Sequence, residues 1–258
     1  MLDIQEYAHT AEPVTFAPRS GLFPAHAPAI HAKIQCSNCA MRGICMPFGL
    51  TSADFSRLDA IVRTSRTVRR GETLYRAGTP FSNIYAVRTG SFKTVARHRD
   101  GREQVIGFHI AGEPLGLDGV CSEKYVCDAV ALEDSVICVI PFHLLELLCR
   151  EISLLQQHVH KMMSGEIVRE AGLMMLLGNM CAEERVATFL LNMSQRLAAR
   201  GYSPSEFILR MTREEIGSYL GLKLETISRM LSRFQKQAMI RVEGKQIRLL
   251  DIARLGVV

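Results

Sequence analysis

The sequence predicts an α+β chain in which an N-terminal β-roll is followed by one long helix and a C-terminal winged helix-turn-helix. Three observations carry this. Between Val68 and Pro141, short β-prone runs are broken at regular intervals by glycine-containing turns. From Ile152 to Leu177, apolar residues recur at helical spacing. Beyond Met211, a capping pattern, two glycines and a shared apolar set stand at the offsets of two crossing helices.

With 258 residues and 48% hydrophobic content, the chain can bury a large core, and its length favours two folded units. No apolar run approaches the roughly eighteen residues of a membrane span, and the N-terminus lacks a basic segment leading into an apolar one, so a cytoplasmic protein without a membrane partner is expected. Residues 1–33 mix Pro, Ala and His without sustained periodicity and read as a flexible arm.

Residues 34–150 are expected to form the β-roll with a cysteine-bearing loop before it. Turn signals fall at Arg70-Gly71, Ala77-Gly78, Thr89-Gly90, Asp100-Gly101, Ala111-Gly112 and Asp118-Gly119. Asp100-Gly101, between Phe92–Arg97 and Gln104–His109, marks a hairpin because that dipeptide accepts positive φ.

Residues 151–180 are expected to form the long helix. Its stripe of Ile152, Leu155, Val159, Met163, Ile167, Met174 and Leu177 suits pairing with a second helix, and a buried core helix explains it equally well. Glu170 interrupts the stripe where an apolar contact is expected, so two copies facing each other would bring carboxylates together.

Residues 181–258 are expected to form the winged helix-turn-helix. Thr212 caps the first helix with Glu215 completing a capping box, Gly217 is small where the helices cross, and Gly221 takes the left-handed turn. The second helix runs from about Leu224 to Gln237 and exposes Glu225, Ser228, Arg229 and Arg233; Glu243-Gly244-Lys245 turns the wing. Residues 182–258 hold 13 Lys/Arg against 8 Asp/Glu, the rest of the chain 18 of each, so the whole net charge of +5 lies beside this motif. Double-stranded DNA is the partner this predicts.

Of the eight cysteines, Cys36, Cys39 and Cys45 share one short loop, a spacing that lets three thiolates wrap one inorganic centre. A fourth ligand must come from elsewhere; Cys121, Cys127 and Cys138 all lie in the β-region. Cys149 and Cys181 read as isolated packing residues. No nucleophile-base pair or phosphate-cradling motif is present, so an enzyme is not expected.

Glu225-Thr-Ile-Ser-Arg229 resembles the recognition helix of the CRP/FNR superfamily in the Glu-x-x-Ser-Arg form of its FNR branch. Gly107 to Gly116 resembles the sensor-domain loop of that family, and Met162-Met-Ser-Gly-Glu-Ile167 part of its dimerisation helix. The resemblance implies reading of a TTGAT-type half-site by Glu225, Ser228 and Arg229. It also implies a 4Fe-4S cluster on Cys36, Cys39, Cys45 and Cys138, since Cys138 stands shortly before Pro141-Phe142 as the distant cysteine of such proteins does. The family further implies a homodimer along the long helix through Val159, Met163, Ile167, Glu170 and Met174, lost when oxygen degrades the cluster. It implies RNA polymerase as a partner, through turns such as His98 to Gly101.

A sister branch binds cyclic AMP through a Gly-Glu turn and an Arg-Ser pair. Gly112-Glu113 is present, but Cys121 to Leu132 contains no arginine, so no cyclic nucleotide is expected. Two other readings of the cysteines are a structural zinc in a regulator of different signal and an electron-transfer iron-sulfur protein; the second leaves the helix-turn-helix without a purpose.

Overall fold

A computed structural model of the chain describes residues 35–258 apart from positions 63 and 99; the expected N-terminal arm lies outside the described residues. The architecture is the predicted α+β arrangement: a β-roll, a long helix, and a C-terminal helix-turn-helix with a small sheet. A 3-10 turn at Cys36–Asn38 and a short helix α1 (Arg42–Cys45) lead into α2 (Ser52–Ile61), whose first turn is closed by reciprocal bonds between Thr51 and Asp54. Sequence reasoning passed over α2.

The roll comprises β1 (Thr64–Val68), β2 (Thr73–Tyr75), β3 (Asn83–Thr89), β4 (Ser91–Arg97), β5 (Glu103–Ile110), β6 (Pro114–Leu115), β7 (Asp128–Ala131) and β8 (Ser135–Pro141). They form two four-stranded antiparallel sheets of order β1-β8-β3-β6 and β2-β7-β4-β5. Val68, Val87, Phe92 and Ile137 are sealed in the core. The Asp100-Gly101 hairpin joins β4 to β5, with Gly101 at φ 86°. Asp118-Gly119 departs from expectation: the left-handed residue is Gly116 (φ 89°), and Gly119 sits in a 3-10 turn. Glycine is needed there for space, since a Cβ would stand 2.5 Å from the Phe81 ring.

Helix α3 (Phe142–Glu151) packs on α4 (Ser153–Asn179), which runs from the roll to the C-terminal unit. There α5 (Ala182–Ala198), β9 (Glu206–Ile208), α6 (Arg213–Leu220), α7 (Leu224–Lys236), β10 (Ile240–Glu243), β11 (Gln246–Leu249) and α8 (Ile252–Leu255) enclose Leu220, Ile227, Phe234 and Ile247. Strand β9, which sequence reasoning missed, completes a sheet of order β10-β11-β9. Phe108 of β5 lies 6.0 Å from Phe189 of α5 and 5.2 Å from Tyr219 of α6, ring centre to ring centre, so one apolar core joins the roll to the C-terminal unit. Among the described residues no helix is long and apolar enough to cross a membrane.

Candidate functional site

The helix-turn-helix is built as its sequence demands. Thr212 Oγ1 accepts from the Glu215 amide and the Glu215 carboxylate accepts from the Thr212 amide, so two otherwise orphaned donors at the start of α6 are satisfied. Gly221 ends α6 at φ 63°. The following amides turn the chain into α7, whose apolar face buries Ile227, Met230, Leu231 and Phe234. This leaves Glu225 and Arg229 exposed and Ser228 half-buried, its hydroxyl accepting from Arg213 Nη1 at 3.2 Å. Arg233 is exposed as expected, and it also pairs with Glu183 of α5 at 2.8 Å. The wing turns at Gly244 (φ 62°), and Lys245 Nζ donates to the Arg210 carbonyl.

Two contacts that no local pattern announces hold this motif to the roll. Lys93 of β4 pairs with Glu215 at 2.7 Å, and the Val105 amide of β5 donates to Ser218 Oγ of α6. A third device lies at the end of the long helix: the Arg185 guanidinium donates to the carbonyls of Leu177, Met180 and Leu220, joining the C-termini of α4 and α6.

Along α4 the apolar stripe divides. Leu155 and Val159 are buried against the roll together with Ile152, Met163 is half-buried, and Ile167 and Met174 are 67% and 69% exposed. Glu170 is exposed between them. Val168 and Met175, one residue along from Ile167 and Met174, are also open. The N-terminal half of the stripe therefore serves the core between the roll, α2 and α3, and the C-terminal half presents an apolar face uncovered among the described residues.

Cys36, Cys39, Cys45 and Cys138 line one cavity, walled by Met41, Met46, Val62, Ile140 and the stem of Arg88. Three arrive on the loop and α1; Cys138 reaches it from β8, where it pairs in register with Ser65 and Ala86. Cys121 and Cys127 line a different pocket. The Asp59 carboxylate accepts from the amides of Cys36 and Ser37 and from the Ser37 hydroxyl, pinning the start of the loop to α2. Burial, then the neighbouring Cys138, pushes the Cys36 thiol up to about 12. Burial, then neighbouring cysteines, pushes Cys45 and Cys138 each up to about 11, while Arg200 opposes the rise at Cys45 and Arg88 at Cys138. Among the described residues no group of His, Cys, Asp or Glu is closed in to single-ion spacing. The four thiols thus converge on a common space, a donor set of the kind that binds a thiolate-held inorganic centre. Such a centre would remove both obstacles to ionisation, since it neutralises the thiolates and replaces their lost water.

Residues 65–152 match the cyclic nucleotide-binding domain family, and residues 184–257 match the Crp-like helix-turn-helix domain family. The chain is 45% identical over 221 residues to the transcriptional regulatory protein btr of Bordetella pertussis (strain Tohama I), spanning 86% of this chain and 91% of that protein. It is 43% identical over 214 residues to the fumarate and nitrate reduction regulatory protein of Escherichia coli (strain K12), spanning 83% of this chain and 86% of that one. Among solved structures, FixK2 from Bradyrhizobium japonicum is 34% identical with a TM-score of 0.69, covering 74% of this chain and 94% of that chain.

Proposed function

Because the chain belongs to the CRP/FNR family of transcription regulators, and to its FNR type, we propose that it is an oxygen-responsive regulator controlling anaerobic gene expression from the cytoplasm. It is not an enzyme, and it binds DNA through its helix-turn-helix. The observation that supports the oxygen reading is the convergence of Cys36, Cys39, Cys45 and Cys138 on one apolar cavity. A 4Fe-4S cluster held by these four thiolates would supply an oxygen-labile centre that holds the loop to β8. The likeness to FNR-type regulators over most of the chain favours a multi-iron cluster over one structural zinc.

The remaining work falls to the chain itself. The uncovered face of α4, with Ile167 and Met174, pairs with a second copy, and Glu170 keeps that pairing marginal because facing carboxylates repel. The homodimer sets two α7 helices one turn of duplex apart. On each TTGAT-type half-site Arg229 gives two bonds to a guanine, Glu225 accepts from a cytosine amino group, and Ser228 meets thymine or phosphate. The turn His98 to Gly101 is the surface offered to RNA polymerase. The E. coli relative is by its name a regulator of fumarate and nitrate reduction, and control of anaerobic genes is carried over from it.

Anaerobic purification, with visible absorption and iron, sulfide and zinc analysis, tests the reading. Colour that bleaches in air, with iron and sulfide present, is the expected result, and replacement of any of Cys36, Cys39, Cys45 or Cys138 by Ser abolishes it while Cys149→Ser and Cys181→Ser do not. Stoichiometric zinc without sulfide would overturn it. A full iron and sulfide complement in Cys138→Ser would move the fourth ligand to another cysteine.

A further inference from the structure

Glu113 lies in the turn between β5 and β6, and its side chain is only 4% exposed. Such a carboxylate requires partners. It has them from three directions: Arg196 Nε and Nη2 donate to its two oxygens at 3.0 and 2.5 Å, Arg200 Nη2 donates at 2.8 Å, and Arg169 Nη1 stands 3.9 Å away. Its own turn adds the Ile110 amide at 3.0 Å. Arg196 lies on α5 and Arg200 just beyond its C-terminal end, both in the DNA-binding unit, and Arg169 belongs to the long helix α4. The same two arginines also donate to the Phe108 and Ala111 carbonyls. The guanidiniums hold the Glu113 carboxyl down to about 2 against the opposing effect of burial, so it carries its charge throughout the neutral range.

The residue before Glu113 connects this network to the cysteine loop. Gly112, at φ 85°, is packed so closely beneath α1 that a Cβ would stand 2.6 Å from Ile44 Cγ2 and 3.4 Å from the Met41 terminal methyl. Ile44 is the neighbour of Cys45, and Met41 walls the cysteine cavity. Arg200 is also near enough to Cys45 to favour its ionised form. One turn of three residues therefore touches the cysteine loop on one side and both the long helix and the C-terminal unit on the other.

We propose that Glu113 is the positioning residue through which the seating of the cysteine loop fixes the DNA-binding unit and the long helix. A shift of α1 presses on Gly112, displaces the carboxylate, and unbalances the guanidiniums of Arg196 and Arg200 that bond it, with Arg169 beside them held also by Glu166 at 3.3 Å. Replacing the anion leaves Arg196 and Arg200 side by side without their shared carboxylate, so the contact fails as a unit instead of weakening smoothly. What the loop senses rests on the function proposed above; the mechanical link does not.

Hydrogen exchange on the full chain without a cluster tests the link by itself. Glu113→Gln keeps the shape and removes the charge, and it is expected to speed amide exchange about tenfold or more both at 192–202 and at 38–46, with 213–236 unchanged. Glu113→Asp is expected to restore part of the protection. Faster exchange at 192–202 alone, or at neither segment, overturns the proposal. Should the Gln variant fail to fold, Arg196→Gln is measured by the same criterion.

In the cluster-loaded chain, Glu113→Gln is expected to shrink the ratio of DNA affinities between loaded and stripped protein by about fivefold or more, with iron and sulfide content intact. An unchanged ratio at full content also overturns it. A wild-type ratio of one would refute the oxygen reading instead, and the exchange experiment would still judge the contact.

Discussion

Replacing Gly217 by Ala tests whether the helix-turn-helix is as tightly crossed as the structure shows. In a helix interior the exchange favours folding by about 1 kcal/mol, because alanine restricts the unfolded chain. At Gly217 the new Cβ would lie 2.5 Å from the Leu222 carbonyl oxygen and 3.6 Å from Ile227 Cγ1. The nearer atom is backbone and is fixed by the turn, whose Leu222 amide donates to the Gly217 carbonyl at 2.8 Å. Relief therefore requires α6 and α7 to part, and overpacking of this kind costs about 1 to 3 kcal/mol, at the upper end where no side chain can swing away. The net loss expected is about 2 kcal/mol, which for a unit of this size lowers Tm by about 10 °C. Calorimetry of the full chain reads it, and Gly172→Ala on α4 is the control. A Cβ there meets nothing within 4 Å, so that variant is expected to match or exceed wild-type stability. If Gly217→Ala melts at or above the wild-type temperature, the crossing is looser than described and the steric argument fails.

Arg229→Ala should lower affinity for a specific site by about 1 to 3 kcal/mol per half-site while changing random-DNA binding little; equal losses on both in a titration at fixed salt would reduce its role to electrostatics. Glu170→Ala should strengthen self-association of the cluster-free chain and leave DNA binding in air, and sedimentation that gives the same monomer-dimer equilibrium for both forms would end the repulsion argument. His109 is buried, which pushes its imidazole down to about 4. The unfolded chain takes up that proton near pH 6.5 and the folded chain only near 4, so stability should fall by about 3 kcal/mol as pH drops through this interval. His109→Gln should flatten that slope in urea titrations between pH 7 and 4; an unaltered slope would place its origin elsewhere.

What could be read from the sequence was local. Thr212 and Glu215 are three residues apart, Asp100-Gly101 is a dipeptide, and Gly221 needs only its own φ, so each carries its conformation in its immediate neighbours. Partners distant in sequence were invisible: Arg233 finds Glu183 only once α7 packs on α5, and Lys93 finds Glu215 and Glu113 finds Arg196 only once the roll and the C-terminal unit are packed together. The stripe of α4 shows a different limit. Periodicity identifies an apolar face but not what covers it, and here the roll covers Val159 while nothing among the described residues covers Ile167. Strand β9 is three residues long with a single buried side chain, too short for alternation to register. The three loop cysteines announce themselves by spacing, whereas Cys138 was singled out by its resemblance to a family pattern, because its place beside the loop follows from strand pairing.

That pairing makes assembly a matter of timing. The three loop thiols leave the ribosome together, about a hundred residues ahead of Cys138. The fourth is delivered only when β8 has been zipped between β1 and β3, which is late and non-local work for a nascent chain. Any centre that needs all four sulfurs can be finished only on a roll that has already closed, so a complete site is also a certificate that this part of the chain has folded. A mutation that slows closure of the roll would thus yield chains short of cofactor even with every ligand intact.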